Sequence, residues 1–599
     1  MEEKLKSIWR KPWRGPLAWL LGWVALMLAL ALIFWLVLSI SGSRPRPAED
    51  ARLFWSLAAG MTLLMLLVAF IRWLANGRNL KRFIFLAACA ATLVGLFYAE
   101  EDWRGKRAWE NYKHEWEAKG ERFDFASIVP PPVPDEKNFA MTPVMYTSYG
   151  FILTRDGRLI PSEQRPTNWV NRLEFKLGDD QVDDGWNTNA IGYWARGTLS
   201  NLKLWQEHYR ELAAKTNEFA VPPQPGAPAA DVLLALSKYD ATVEELRQAA
   251  QLPECRFPLN YDADDPAEIY LPHLAALKRS SRLLELRALA ELENGESDKA
   301  LADVMLTLRL SEHVQREPTL IGMLVRIAMT DIAMQPVYEG LAKHRWTDAQ
   351  LAAMEAEMAK IDFLADFTFS MRCERAFAGG ILDYISRKDR VKRYDNLTSY
   401  QSFDEAGKAP ESPMKGFFLR VEICLMPQGW FELNKLTIAR MHETWLLHIT
   451  DPEKHQVMPQ MVIPQQWQPV NTLFNIFARE LIPELPNSAK KSARGQMTVD
   501  LARTAMALER YRLAHGEYPE TLDGLAPQFI AQVPHDVIGG GPLKYRRTSD
   551  GLFVLYSIGW NEKDDGGVMV DSGSQPHIDE RRSQPRFEEG DWVWRYPQK

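Results

Sequence analysis

Cysteine is scarce in this chain, four residues in 599, and Cys89, Cys255, Cys373 and Cys424 lie far apart. That excludes a CxxC metal knuckle and a dense disulfide framework. Local signatures of catalysis are missing as well. No GxSxG, GxxxxGK[ST] or GxGxxG occurs, which removes the nucleophile elbow and the phosphate-cradling loops. His442-Glu443 opens like a zinc-protease HExxH, but the fourth residue on is Leu446 and the next histidine is His448. Two ligands on one helical face are therefore not provided. Positive charge is in deficit too, 71 Lys+Arg against 78 Asp+Glu.

Apolar length is what the chain has in excess near its amino end. Residues 17–41, 53–71 and 83–99 form three runs without a charge, and crossing the bilayer core takes about 20 residues. A signal peptide has a much shorter apolar core, so the reading is three transmembrane helices, with a buried core helix as the alternative for 83–99. Up to Ala99 there are 12 Lys+Arg and 4 Asp+Glu, net +8; the remainder carries 59 and 74, net −15. An acidic exterior lacks the cationic footprint of nucleic-acid binding. Lys4, Lys6, Arg10, Lys11 and Arg14 in the tail and Arg72, Arg78, Lys81 and Arg82 in the second loop keep those segments cytoplasmic. The expectation is a multi-pass protein of the bacterial inner membrane with its large part periplasmic, or cytoplasmic if only two runs cross.

Beyond the membrane region (1–99), the segment 100–227 holds a charged helix, a Pro-rich spacer and a mixed stretch. Trp109, Tyr112 and Trp116 make one aromatic stripe on the helix EDWRGKRAWENYKHEWEAKGE, expected to pack on the domain below. IVPPPVP (128–134) is a stiff extended spacer, and Asp156-Gly157 marks a hairpin turn. Segment 228–450 reads as a helical domain. In it Asn294, Gly295 and Ser297 separate two periodic stretches as an αα-hairpin, Ser297 being the expected cap of the second, and a long polar loop is expected over 387–415 with a basic patch at Arg387, Lys388, Arg390, Lys392 and Arg393. Residues 451–497 form a Pro-rich linker zone. In 498–599 Asp500 is placed to cap a helix ended by Gly516, and two strands meet at the turn 548–551.

The order ALERYRLAHGEYPETLDGL, PLKYR, LYSIGWNEKDDGG resembles the C-terminal region of the major pseudopilins of type II secretion systems, over about 70 residues. The resemblance implies a pilin-like α+β head with a calcium-binding loop after its last strand. Carried over by position, the ligands are Asp564 and Asp565, with Asn561 and Asp571 as further ones; hard oxygen ligands suit Ca²⁺. The leader and single long apolar helix of pseudopilins do not precede Asp500. The whole layout resembles that of large uncharacterised membrane proteins of planctomycete and verrucomicrobial bacteria, on stretches such as AADVLLALSKYD and GDWVWRYP.

The fold class expected is mainly α: N-terminal transmembrane helices, a large helical exterior and a small α+β pseudopilin-like head. The acid pairs Asp179-Asp180 and Asp183-Asp184, and His208, His273 and His313, have the chemistry for acid/base work, but solvated loops and helical core or surface positions explain them as well. No catalytic residue is assigned. The function read from this is a non-enzymatic, membrane-anchored scaffold or interaction module whose partners are the bilayer and proteins of a cell-envelope or secretion-like assembly, with no nucleic acid. The alternative is an envelope hydrolase with its site in the helical region.

Overall fold

The computed structural model describes residues 15–40, 47–149, 151–153, 159–161, 171–177, 190–261, 263, 266, 269–404, 413–462, 475–482, 485–569 and 590–597. The chain forms two compact units, Met1–Glu100 and Glu101–Lys599.

In the first unit the apolar runs are helices, Gly15–Ile40, Pro47–Leu74 and the start of Gly77–Glu117. A helix satisfies its own backbone polar groups, which is what a lipid solvent demands. The helices are apolar all round, and their large side chains, among them Leu28, Leu32, Leu63, Phe85 and Leu93, point outward. Trp23 Nε1 donates to Thr62 Oγ1 at 2.8 Å, and Phe34 meets Phe54 with centroids 5.7 Å apart, tying the first helix to the second. Only 6% of the apolar window of Phe54–Leu74, and none of that in Gly77–Glu117, is covered by protein. Leu320–Ala342 has similar length and apolarity, yet 61% of its window is buried. The first set has the length, composition and uncovered surface of membrane-spanning helices, and Leu320–Ala342 is a core helix. The alternative of a buried core helix for 83–99 is thus not what the packing shows.

The second unit is mainly helical. Pro272–Glu293 and Ser297–His313 form the expected αα-hairpin, closed by Gly295 at φ +81°. Glu296 N donates to Glu291 O at 2.8 Å and Gly295 N to Leu292 O at 3.2 Å, the paired bonds of a left-handed helix stop. Ser297 is not the cap: it is already helical, and Glu296 stands at the N-cap without a side-chain bond. Both hairpin helices pack on Leu320–Ala342. Inside that helix Gly340 is required by close approach, because a Cβ there would lie 2.0 Å from Trp346 Nε1.

The polar stretch 387–415 is not one long loop. Arg390–Asp404 is helical and a further helix, Pro413–Leu425, begins before the stretch ends. Tyr394 and Leu397, three apart, pack against the main core, enough of an apolar stripe to hold an otherwise charged helix. Strands Phe151–Leu153 and Leu159–Pro161 pair antiparallel, while Asp156 and Gly157 lie outside the described residues.

At the C-terminus one helix runs from Leu485 to His515. It starts well before Asp500, which sits in its interior, 1% exposed, bonded to Gln496 and Arg503, and so caps nothing. Small and aliphatic residues (Ala489, Ala493, Met497, Leu501, Ala505, Leu508) fill its buried face against Leu320–Ala342, Asp348–Met358 and Phe363–Ser386. Strands Lys544–Arg547, Phe553–Ser557 and Trp592–Arg595 make an antiparallel sheet in that order, with Arg547 opposite Phe553 across the turn and Gly551 at φ +80°. The third strand carries the fully buried Trp594, held between Trp194 and Tyr338 at centroid distances of 5.4 and 5.5 Å.

Candidate functional site

Three clusters carry the chemistry of the exterior unit: a junction at its start, a loop in its C-terminal sheet region and a buried His–Glu pair.

The junction is formed by the residues that directly follow the third apolar run. Gly105 and Gly429 meet backbone to backbone: a Cβ on Gly105 would lie 2.0 Å from Gly429 O, and one on Gly429 equally close to Glu101 O. Helix Gln428–Thr444 begins after Pro427, which has no capping side chain. Asp102 supplies what is missing, its Oδ1 accepting from Gly429 N at 2.8 Å, so a carboxylate sits on orphan donors at the positive helix end. Trp430 Nε1 donates to Glu101 Oε2 at 2.8 Å. Farther along, Trp109 and Tyr112 pack on Phe123 at 5.5 and 6.1 Å, with Lys435 over Trp109 and Arg440 over Tyr112. Trp109 and Tyr112 of the aromatic stripe therefore pack on the body as expected, while Trp116 rests on Tyr112 of its own helix at 5.9 Å with Lys119 over its ring. Glu121 closes the junction on Arg372 at 2.8 Å and Arg375 at 2.7 Å, and the buried Arg375 also pairs with Glu443. Burial acts to raise the Glu121 pKa, but the two guanidinium hydrogen bonds prevail and hold it below the usual carboxyl range.

The loop after strand Phe553–Ser557 brings Asn561, Asp564 and Asp565 together. Asp564 Oδ1 accepts from Tyr556 Oη at 3.0 Å and Gly566 N at 3.0 Å, and its Oδ2 lies 3.3 Å from Lys544 Nζ. Asn561 Nδ2 donates to Asp565 Oδ2 at 2.9 Å. These oxygens thus face donors of the protein itself, with Lys544 beside Asp564 and Arg546 bonded to Gly566 O at 2.9 Å. Among the described residues no three His, Cys, Asp or Glu side chains converge as for a metal ion. Asp571 lies outside the described residues. The loop's organiser is a residue that sequence reasoning did not single out. Asp591, 3% exposed, accepts from the backbone amides of Asp565 (3.2 Å), Gly567 (2.6 Å) and Val568 (3.3 Å). Gly566 and Gly567, both at positive φ, turn those amides inward. Burial nevertheless raises the Asp591 pKa against the pull of the amides.

His273 and Glu317 form the third cluster. Nε2 lies 3.5 Å from Oε2, and both side chains are fully buried. The ring nitrogens have no hydrogen-bond partner among the described residues, while the Glu317 carboxylate faces the Tyr261 hydroxyl, whose pKa is raised by burial first and by Glu317 second. His273 stacks on Phe257 at 3.8 Å, with Tyr149 at 6.3 Å. Burial first, and the Glu317 charge second, push up the Cys255 thiol.

The other residues singled out in the sequence serve packing. His208 Nε2 donates to Leu177 O at 3.2 Å. His313 donates to Ala250 O at 3.2 Å, stacks on Phe139, and is pushed down to about 4 by burial. His442 donates from Nδ1 to Ile438 O at 2.9 Å, with its pKa pushed down to about 3 by complete burial, while Glu443 is committed to Arg375. Asp179, Asp180, Asp183 and Asp184 lie outside the described residues.

The chain matches no protein-family model, no curated protein and no solved structure.

Proposed function

We propose that this chain is a non-enzymatic scaffold of the bacterial envelope, anchored by its N-terminal helices in the inner membrane, whose exterior unit presents helical layers and a pilin-like head to an envelope or secretion-like assembly. The observation that carries the reading is the junction. From Glu101 on, the chain is packed into the second unit through the Gly105–Gly429 crossing and, past the helix end at Glu117, through the Glu121–Arg375–Glu443 ion pairs. Such packing, next in sequence to apolar helices that protein leaves uncovered, suits a large folded body carried on a membrane anchor.

The experiment is affinity capture of the full chain, solubilised from membranes, with a parallel assay of hydrolysis on general ester and peptide substrates. A stoichiometric envelope partner and no turnover are expected. The second reading, an envelope hydrolase, is favoured by the buried His273–Glu317 pair. Monomeric protein with hydrolytic turnover that Glu317→Gln abolishes establishes it and overturns the scaffold.

A further inference from the structure

A cleft of about 400 Å³ lies in the second unit where three helices meet: the end of Asp240–Ala249, the middle of Ser297–His313 and the end of Asp348–Met358. Small-ligand sites are typically roughly 300–1,000 Å³ in volume, with an apolar lining and a few fixed polar groups. The floor here is apolar. Ala302, Met305 and Leu306 share one face of helix Ser297–His313, and Ala250 closes it. The charged side chains of the lining are Arg247, Arg309, Lys360 and Glu357. Three cations to one acid is a reversal of the balance beyond Ala99, where 59 Lys+Arg stand against 74 Asp+Glu.

Both guanidinium groups are fixed by the fold. Arg247 Nη1 donates to Ala302 O and Nη2 to Asp303 Oδ1, each at 2.6 Å, and Asp303 also takes Arg287 Nε at 3.0 Å. Arg309 Nε donates to Ala250 O at 3.2 Å. Satisfying the helix end at Ala250 accounts for that bond, as it does for His313, which donates to the same carbonyl at 3.2 Å. It does not account for the rest of the Arg309 fork. Arg309 Nη1 meets Glu312, and Lys360 Nζ meets Glu357 at 2.6 Å, each partner three residues away in sequence. Exposed pairs at that spacing are weak. They leave Arg309 Nη2 without a partner among the described residues, and two of the three Lys360 protons unused. The cleft thus offers pre-positioned cationic donors above an apolar floor.

We propose that this cleft binds a small aliphatic carboxylate, its carboxyl group held by Arg309 and Lys360 and its hydrocarbon body lying on Met305 and Leu306. The inference depends neither on the side of the membrane that the unit occupies nor on the role of the His273–Glu317 pair.

The probe is 4-methylpentanoate, with 4-methylpentanamide as its uncharged counterpart, each titrated calorimetrically into the detergent-solubilised full chain. Saturable binding of the acid is expected, with the amide about tenfold weaker and the affinity for the acid falling as salt is added. Lys360→Gln, at a side chain 61% exposed and so without cost to the fold, is expected to lower the affinity about fivefold. Met305→Glu, which puts a carboxylate on the floor, is expected to abolish binding. No saturable binding of the acid overturns the proposal. Equal affinity for acid and amide overturns recognition of the carboxylate, and inorganic phosphate bound as tightly as the acid overturns the part assigned to the floor. An affinity unchanged in either variant places the probe elsewhere and overturns the cleft as its site.

Discussion

Gly105 stands in the middle of a charged helix, where a glycine costs about 1 kcal/mol relative to alanine, and the reason is the backbone of Gly429 against it. Gly105→Ala is expected to destabilise the exterior unit despite the better helix propensity of alanine, by about 1–3 kcal/mol, because the atom in the way is a backbone oxygen that cannot rotate aside. Thermal unfolding of the solubilised chain reads this as a lowered Tm; an unchanged or raised Tm contradicts the tight crossing. Glu291 offers a test with a pH sign. Burial first, then the neighbouring Asp303, raise its pKa to about 8, with Arg287 opposing. The folded state therefore keeps a proton that the unfolded state gives up near the ordinary carboxyl value, and stability falls as pH rises between the two. Glu291→Gln removes that loss. The variant is expected to match the parent below pH 4 and to exceed it by about 1–3 kcal/mol at pH 8, measured by denaturant titration at both pH values. A parent whose stability rises over that interval relative to the variant contradicts the assignment.

At the scale of elements, the C-terminal helix decides whether the head is a separable module. Its face from Leu485 to Leu508 is buried against three helices from earlier in the chain, so a fragment beginning at Thr498 exposes Val499, Leu501, Ala505 and Leu508 to water. Such a fragment is expected to lack a cooperative thermal transition by circular dichroism; a sharp transition would show that the head folds alone. The local signals in this region were legible. The Gly516 stop and the turn at 548–551 place a helix and a hairpin, and the structure has both. The start of the helix was not legible, because Pro486 and Asn487 read as linker while Ala489, Ala493 and Met497 become buried only through helices distant in sequence. Asp591 was hidden for the same reason: it reaches the amides at 565–568 across 24 residues or so, the intervening chain carrying no pattern that announces the pairing. The stretch 387–415 failed differently. Its charge outweighed the two apolar residues, Tyr394 and Leu397, that hold the helix to the core.

For the whole molecule, three long uncharged runs were visible as helices suited to lipid because the requirement is one of length and composition alone. The candidate clusters were far less visible. His273 and Glu317, or Glu121, Arg375 and Glu443, are separated by tens to hundreds of residues, and no local spacing links them. The central claim is that an odd number of crossings holds the exterior unit on the far side of the inner membrane. Glu136→Cys, on an exposed turn of that unit, measures it directly when labelled with a membrane-impermeant maleimide in right-side-out and inside-out membrane vesicles. Labelling in right-side-out vesicles, and in inside-out vesicles only after detergent, is the predicted result; labelling of intact inside-out vesicles would contradict it.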